Sequence, residues 1–229
     1  MREKLVEAER LIAAQGGRHR LWIGELGWSL DVREGPLSPS ARRHAESTAR
    51  ALILARSLPA VERMFWFITQ GCNEGGYEYG LWRDARTPLP AVPAYATAAR
   101  FLDHARPLGP IFESDIRAYA FQHPGRTVVT LWKCAGDTAE LLVELPAEAC
   151  TLAAMTGETL AIEARDGRLA LPLTTAPVYL AVRDLDPELV RGRIAEAGVG
   201  IDALTIAVLL SDSTTIQGTR SEERRGGKE

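Results

Sequence analysis

The residues best suited to chemistry lie in the stretch Leu21-Trp22-Ile23-Gly24-Glu25-Leu26-Gly27-Trp28-Ser29. Leu21 to Ile23 is a short apolar run with Gly16-Gly17 upstream and Gly27 downstream, the pattern of a buried strand. Glu25 stands at the end of that strand. A carboxylate is normally kept out of a core unless it is paired or used. In parallel α/β barrels the C-terminal ends of the strands carry the catalytic groups. Held there, Glu25 would be placed as a catalytic group. Without that role it is a solvated strand end or half of a structural ion pair, and its pattern alone leaves both readings open.

A second apolar run, Met64 to Thr69, carries Trp66. The flat apolar face of an indole suits the C–H faces of a sugar, and equally suits a core. Gln70 to Trp82 reads as a Gly-rich loop that brings Cys72, Asn73, Glu74, Tyr77, Glu78 and Tyr79 close behind it. The four histidines are scattered, which disfavours a metal-dependent hydrolase with clustered ligands. His44 reads as a solvated residue on a helix, and Arg18 and His19 as turn residues. Cys72, Cys134 and Cys150 are too few and too scattered for a disulfide framework or a zinc site. Cys134 and Cys150 could pair across a sheet, but read better as two buried free thiols. No cofactor is expected.

The segment Ile23-Gly24-Glu25-Leu26-Gly27-Trp28-Ser29 resembles the I-x-E-x-G-W-S run that ends the seventh barrel strand in retaining glycoside hydrolases of the clan that includes families 5, 39 and 42. In that clan the glutamate is the catalytic nucleophile, so the resemblance implies this role for Glu25. Trp66 resembles the aromatic residue that ends the eighth strand and floors the sugar site. The resemblance further implies that Trp28, Glu74 and Tyr79 contact substrate, an oligo- or polysaccharide or other glycoside. Asn73-Glu74 does not match the clan's Asn-Glu acid/base pair, which ends the fourth strand, far upstream. Tyr79-Gly80-Leu81-Trp82 and Pro93-Ala94-Tyr95 resemble the run into the final barrel helix, although the usual lysine is absent. Met155-Thr156-Gly157-Glu158, Asp166 to Leu173 and Ala176 to Leu180 resemble the β-sandwich appended to these barrels.

These residues must be positioned by helices and strands in alternation. Leu5, Val6, Ala8, Leu11, Ile12 and Ala14 have helical spacing and end at Gly16-Gly17, so a helix spans 3–15. Ser38-Pro39 starts a second helix that runs to about Ser57, with Ala45, Thr48, Ala49, Leu52, Ile53 and Arg56 along one side. A third spans 92–105, with Tyr95, Ala98, Ala99 and Leu102 inward. Strand, helix, strand with short connections makes a βαβ unit and a parallel sheet. Beyond residue 116 the pattern changes. Short β-rich segments at 116–123, 127–134, 140–145, 150–155, 168–173 and 178–183, with Gly- and Pro-containing turns, predict an antiparallel sandwich.

The expected class is therefore α/β followed by all-β. Residues 1–110 form the C-terminal part of a (β/α)8 barrel, incomplete here, and 111–184 a β-sandwich. Residues 185–218, with a helix at 187–197 and a strand at 203–210, start a further truncated segment. Residues 219–229 resemble a translated sequencing adapter and read as a disordered tail. On this reading the chain is a fragment whose acid/base is missing, inactive alone, with its N-terminal third molten or aggregation-prone. The alternative is a non-catalytic carbohydrate-binding or structural sandwich protein. It would need an exposed aromatic platform, yet Tyr119, Phe121 and Trp132 alternate as a core face does. A net charge of −3 gives no reason to expect nucleic acid or an anionic membrane as a partner. No apolar run approaches the ~20 residues of a membrane span. Localisation and oligomeric state are not written in the sequence.

Overall fold

The computed structural model describes residues 1–200 apart from 18, 19, 32 and 137. The expected strand at 203–210, the tail at 219–229 and the turn residues Arg18 and His19 lie outside the described residues. The first half runs α1 (Arg2–Ala14), β1 (Leu21–Leu26), β2 (Ser29–Asp31), α2 (Pro39–Arg56) and β3 (Val61–Trp66). It continues through β4 (Cys72–Glu74), β5 (Tyr77–Tyr79), β6 (Trp82–Asp84), β7 (Thr87–Pro88) and α3 (Ala91–Leu102).

Helix α2 starts where the sequence places it. The Ser38 hydroxyl accepts from the Ala41 N–H at 3.1 Å, and Pro39 occupies the first turn. Strands β1 and β3 pair in parallel, with Leu21 opposite Val61 and Leu26 opposite Trp66. One face of this pair packs Leu21, Ile23 and Met64 against Ala55, Leu58 and Val61. Trp22 (58% exposed) and Phe65 (46% exposed) remain open to solvent. Helix α1 contributes Leu5 to this cluster but has no buried residue of its own. Strand β3 begins three residues earlier than the apolar run suggests. Exposed Glu62 and Arg63 interrupt its hydrophobic pattern, and Phe67 to Thr69 leave the sheet.

The segment after β3 is not the loop expected for 70–82. β4 and β5 form a hairpin, and β2 adds to it to give a three-stranded antiparallel sheet in the order β2-β5-β4. The connections that leave the C-terminal ends of β1 and β3 are thus stitched to each other. Gly71 and Gly80 permit this. A β-carbon at Gly71 would meet the Arg83 carbonyl oxygen at 2.4 Å, and Gly80, at φ +155°, lies against Gly71.

The second half holds β8 (Arg106–Glu113), β9 (Ile116–His123), β10 (Arg126–Lys133), β11 (Ala139–Val143), β12 (Cys150–Ala154), β13 (Thr159–Leu160), β14 (Glu163–Arg165), β15 (Arg168–Leu173), β16 (Val178–Arg183), α4 (Pro187–Ala195) and β17 (Gly198–Gly200). They make a six-stranded sheet, β13-β12-β16-β10-β9-β8, and a four-stranded sheet, β14-β15-β11-β17. The pairings in both are antiparallel, and neither sheet closes on itself.

Period-two alternation divides the six-stranded sheet cleanly. Ala118, Ala120, Val129, Leu131, Val178, Leu180 and Val182 point into a cluster shared with Leu141, Val143, Leu169, Leu171 and Leu173 of the four-stranded sheet. Tyr119, Phe121, Val128, Trp132, Tyr179 and Ala181 point the other way, against Ile53 of α2 and Ala98, Phe101 and Leu102 of α3. A sheet covered on both faces requires near-continuous apolar strands, which the runs Thr127 to Trp132 and Val178 to Val182 supply. Helix α4 adds Val190 and Ile194 to the first cluster, and β17 pairs with β11. Residues 187–200 therefore belong with the two sheets.

Candidate functional site

The two parallel strands end side by side, because Leu26 faces Trp66 and the Phe67 N–H donates to the Leu26 carbonyl at 2.9 Å. Glu25 precedes that junction. It is exposed, and no described residue hydrogen-bonds or ion-pairs with it. Gly27 follows, pressed against the Phe67 backbone, where any side chain would collide. Trp28 then turns back and stacks on Trp66, with ring centroids 5.8 Å apart and planes 28° apart. The structure thus brings Trp28 and Trp66 into contact, with Glu25 one residue before the Leu26–Trp66 pairing in the chain.

Trp66 is half-buried. It packs on a cluster built from Leu30 of β2, Ala41 and Ala45 of α2, Ala91 and Ala94 of α3, and Leu81 and Leu89, which flank the β6–β7 pair. Tyr95 of α3 meets the ring edge-on at 6.3 Å. His44 of α2 lies 6.4 Å from it. Next to Trp66 in the chain, Phe67 meets Tyr79 edge-to-face at 5.7 Å. Tyr79 therefore borders the same aromatic group. Glu74 does not join it. It is exposed at the β4–β5 turn, and its one described side-chain contact is to the Cys72 thiol at 3.8 Å.

His44 is a correction. The helix pattern suggests a solvated residue, but it is 3% exposed. Burial alone pushes its imidazole down to about 4, from an ordinary value of 6.5. The signal was present in the spacing: Ala41, His44 and Thr48 follow one another at three and four residues, on the stripe that faces Trp66. Helix α2 has two packed sides, one on the Trp66 cluster and one on the six-stranded sheet, so the usual solvated face is narrow.

Glu78 is a buried carboxylate to which the sequence assigns no role. Its carboxylate accepts from Arg83 Nε at 2.8 Å, and Arg83 Nη2 donates to the Glu34 carbonyl at 2.7 Å. This links β5, β6 and the loop after β2. On the surface of the same unit, Asp31 is held down to about 2 by hydrogen bonds from Arg33. Among the described residues, no group of three or more His, Cys, Asp or Glu is placed to hold a metal ion, and no helix is long and apolar enough to cross a membrane.

The second half offers no aromatic platform from the expected candidates. Tyr119, Phe121 and Trp132 are all buried, with Trp132 stacked on Tyr119 at 5.6 Å. The Tyr119 hydroxyl donates to Glu113 at 3.0 Å, and burial raises its pKa to about 12. The three cysteines are free. Cys134 is exposed and Cys150 half-buried, so the expectation of two buried thiols does not hold for Cys134.

No protein-family model matches the sequence, and no curated protein matches it. Solved structures do. A family 39 glycoside hydrolase from the gut symbiont Bacteroides cellulosilyticus WH2 superposes with a TM-score of 0.64 at 22% identity, over 74% of this chain and 35% of that one. A GH30 endoxylanase from Clostridium papyrosolvens C71 superposes with a TM-score of 0.52 at 10% identity, over 76% of this chain and 44% of that one. The chain shares the fold of part of these two glycoside hydrolases and spans between a third and a half of their length.

Proposed function

We propose that this chain is the nucleophile-bearing portion of a retaining glycoside hydrolase that cleaves β-glycosidic bonds, with Glu25 as nucleophile. The observation that supports the reading is the position of Glu25 at the C-terminal end of one of two parallel strands, one residue before the Leu26–Trp66 pairing, with Trp28 stacked on Trp66. On this reading β1 and β3 are the last two strands of a (β/α)8 barrel, and the exposed Trp22 and Phe65 face its interior. The six- and four-stranded sheets are the appended β-sandwich. The barrel portion ends near residue 105, and the sandwich takes in α4 and β17.

The chemistry is a double displacement. The ionised Glu25 carboxylate attacks the anomeric carbon and forms a glycosyl ester. A second carboxylic acid protonates the departing oxygen, then removes a proton from the water that cleaves the ester. In retaining enzymes the two carboxyl groups stand about 5 to 5.5 Å apart. The acid/base belongs to barrel strands outside this chain, so the chain alone is inactive. Trp28, backed by the half-buried Trp66 on which it stacks, supplies the apolar floor for the sugar, with Tyr79 as a further substrate contact.

The test is Glu25→Gln in the full-length parent. Loss of turnover by about 10^4-fold or more is expected, the scale on which removal of a covalent nucleophile acts. Turnover like the wild type overturns the assignment.

A further inference from the structure

Three polar atoms next to the candidate site are buried without a hydrogen-bond partner among the described residues: Nδ1 and Nε2 of His44, and Nε1 of Trp66. A neutral imidazole offers one donor and one acceptor, and an indole offers one donor. Their surroundings supply little else. The Thr48 hydroxyl, one turn along α2, already donates to the His44 carbonyl at 2.8 Å. The neighbouring cluster is formed by alanine, leucine and methionine side chains, and Tyr95, packed against it, meets the Trp66 ring edge-on without reaching its N–H. Buried polar groups are satisfied in nearly all native proteins, and internal water serves those that protein atoms do not reach. The two rings lie 6.4 Å apart between centroids and are tilted by 42°, close enough for their polar atoms to share a solvent molecule.

We propose that ordered internal water joins the His44 imidazole to the Trp66 indole N–H, and that His44 is a positioning residue for the Trp28–Trp66 stack. The water accepts from the indole and donates to the unprotonated ring nitrogen. That fixes the His44 tautomer and the rotation of the Trp66 ring, on which Trp28 lies. The structural statement rests on the geometry alone. Its bearing on catalysis rests on the reading of Glu25 as nucleophile.

The experiment uses the full 229-residue chain and reads indole geometry rather than turnover. Stacked indoles give an exciton couplet in circular dichroism, assigned here by its loss in Trp28→Phe. His44→Gln keeps a donor and an acceptor, whereas His44→Phe keeps the ring and removes both. The couplet is expected to survive in His44→Gln and to fall by half or more in His44→Phe. The reverse ranking overturns the proposal, because packing alone would then hold Trp66. If neither variant folds, the 15N-labelled wild-type chain decides. A long-lived water cross-relaxing with the Trp66 indole proton is expected, and its absence refutes the idea. Glu25→Gln should leave both signals unchanged, so a failure here is separable from a failure of the nucleophile assignment.

Discussion

Gly27 and Phe67 lie closer together than any side chain at position 27 would permit. A β-carbon on Gly27 would sit 2.5 Å from the Phe67 carbonyl oxygen. This contact locks the turn carrying Glu25 and Trp28 to the end of the neighbouring strand. Gly27→Ala must push the two strand ends apart, at a cost of roughly 1–3 kcal/mol. Gly24, within β1, would meet nothing within 4 Å of an added β-carbon. Its replacement by alanine should stay within about 0.5 kcal/mol of the wild type. Urea unfolding of the two variants checks both.

The Glu78–Arg83 pair supports the small sheet over the same edge. Glu78 is nearly enclosed, with its side chain 6% exposed, against 22% for Arg83. Arg83→Met leaves a buried carboxylate without its partner and should destabilise by about 3–5 kcal/mol. Replacing both residues, as Glu78→Gln with Arg83→Met, should cost less than the single change. A double-mutant cycle in urea gives the coupling directly.

His44 makes stability depend on acid. Its pKa is depressed in the folded chain, so between pH 6.5 and about 4 the unfolded chain holds more protons than the folded one. Stability from this group is therefore complete above pH 6.5 and falls as pH drops towards 4. At about 1.4 kcal/mol per pH unit the window is worth about 3 kcal/mol. His44→Phe should flatten that part of the profile, and thermal melts across pH 4 to 7 on both proteins measure it.

The sequence reading places the weak region across the whole N-terminal third, and the packing narrows it. Helix α1 has no buried residue, and the β1–β3 pair has two open edges. Helices α2 and α3 are packed on the six-stranded sheet. Limited proteolysis should cut α1 and the connection to β1 first, and should leave α2, α3 and the sheets in one resistant fragment. Cleavage within α2 ahead of α1 would contradict this.

Strands β9, β15 and β16 fall where the sequence puts them, because each is an apolar run flanked by turns built on Gly or Pro. Strand β8 is not expected from the sequence, and it carries Pro107, Gly109 and Pro110, residues that interrupt most strands. It is the edge of its sheet and has two register shifts, the setting in which proline is tolerated in a strand. The β4–β5 hairpin escaped notice because its strands are three residues long and are held by long-range pairing to β2. Within the site, Glu25 and the Trp28 turn are legible as a local motif. The Trp66–His44 contact is not, because it depends on how α2 rolls between two packed faces, which only the assembled fold determines.

In the proposed reaction Glu25 forms a covalent bond to the sugar. The full-length parent, treated with a panel of 2-deoxy-2-fluoro glycosides bearing good leaving groups, should accumulate a stable glycosyl ester. Peptide mapping by mass spectrometry should then find the label on the peptide containing Glu25, and Glu25→Gln should take up none. Label on a different carboxylate, or equal labelling of the Glu25→Gln protein, would contradict the account.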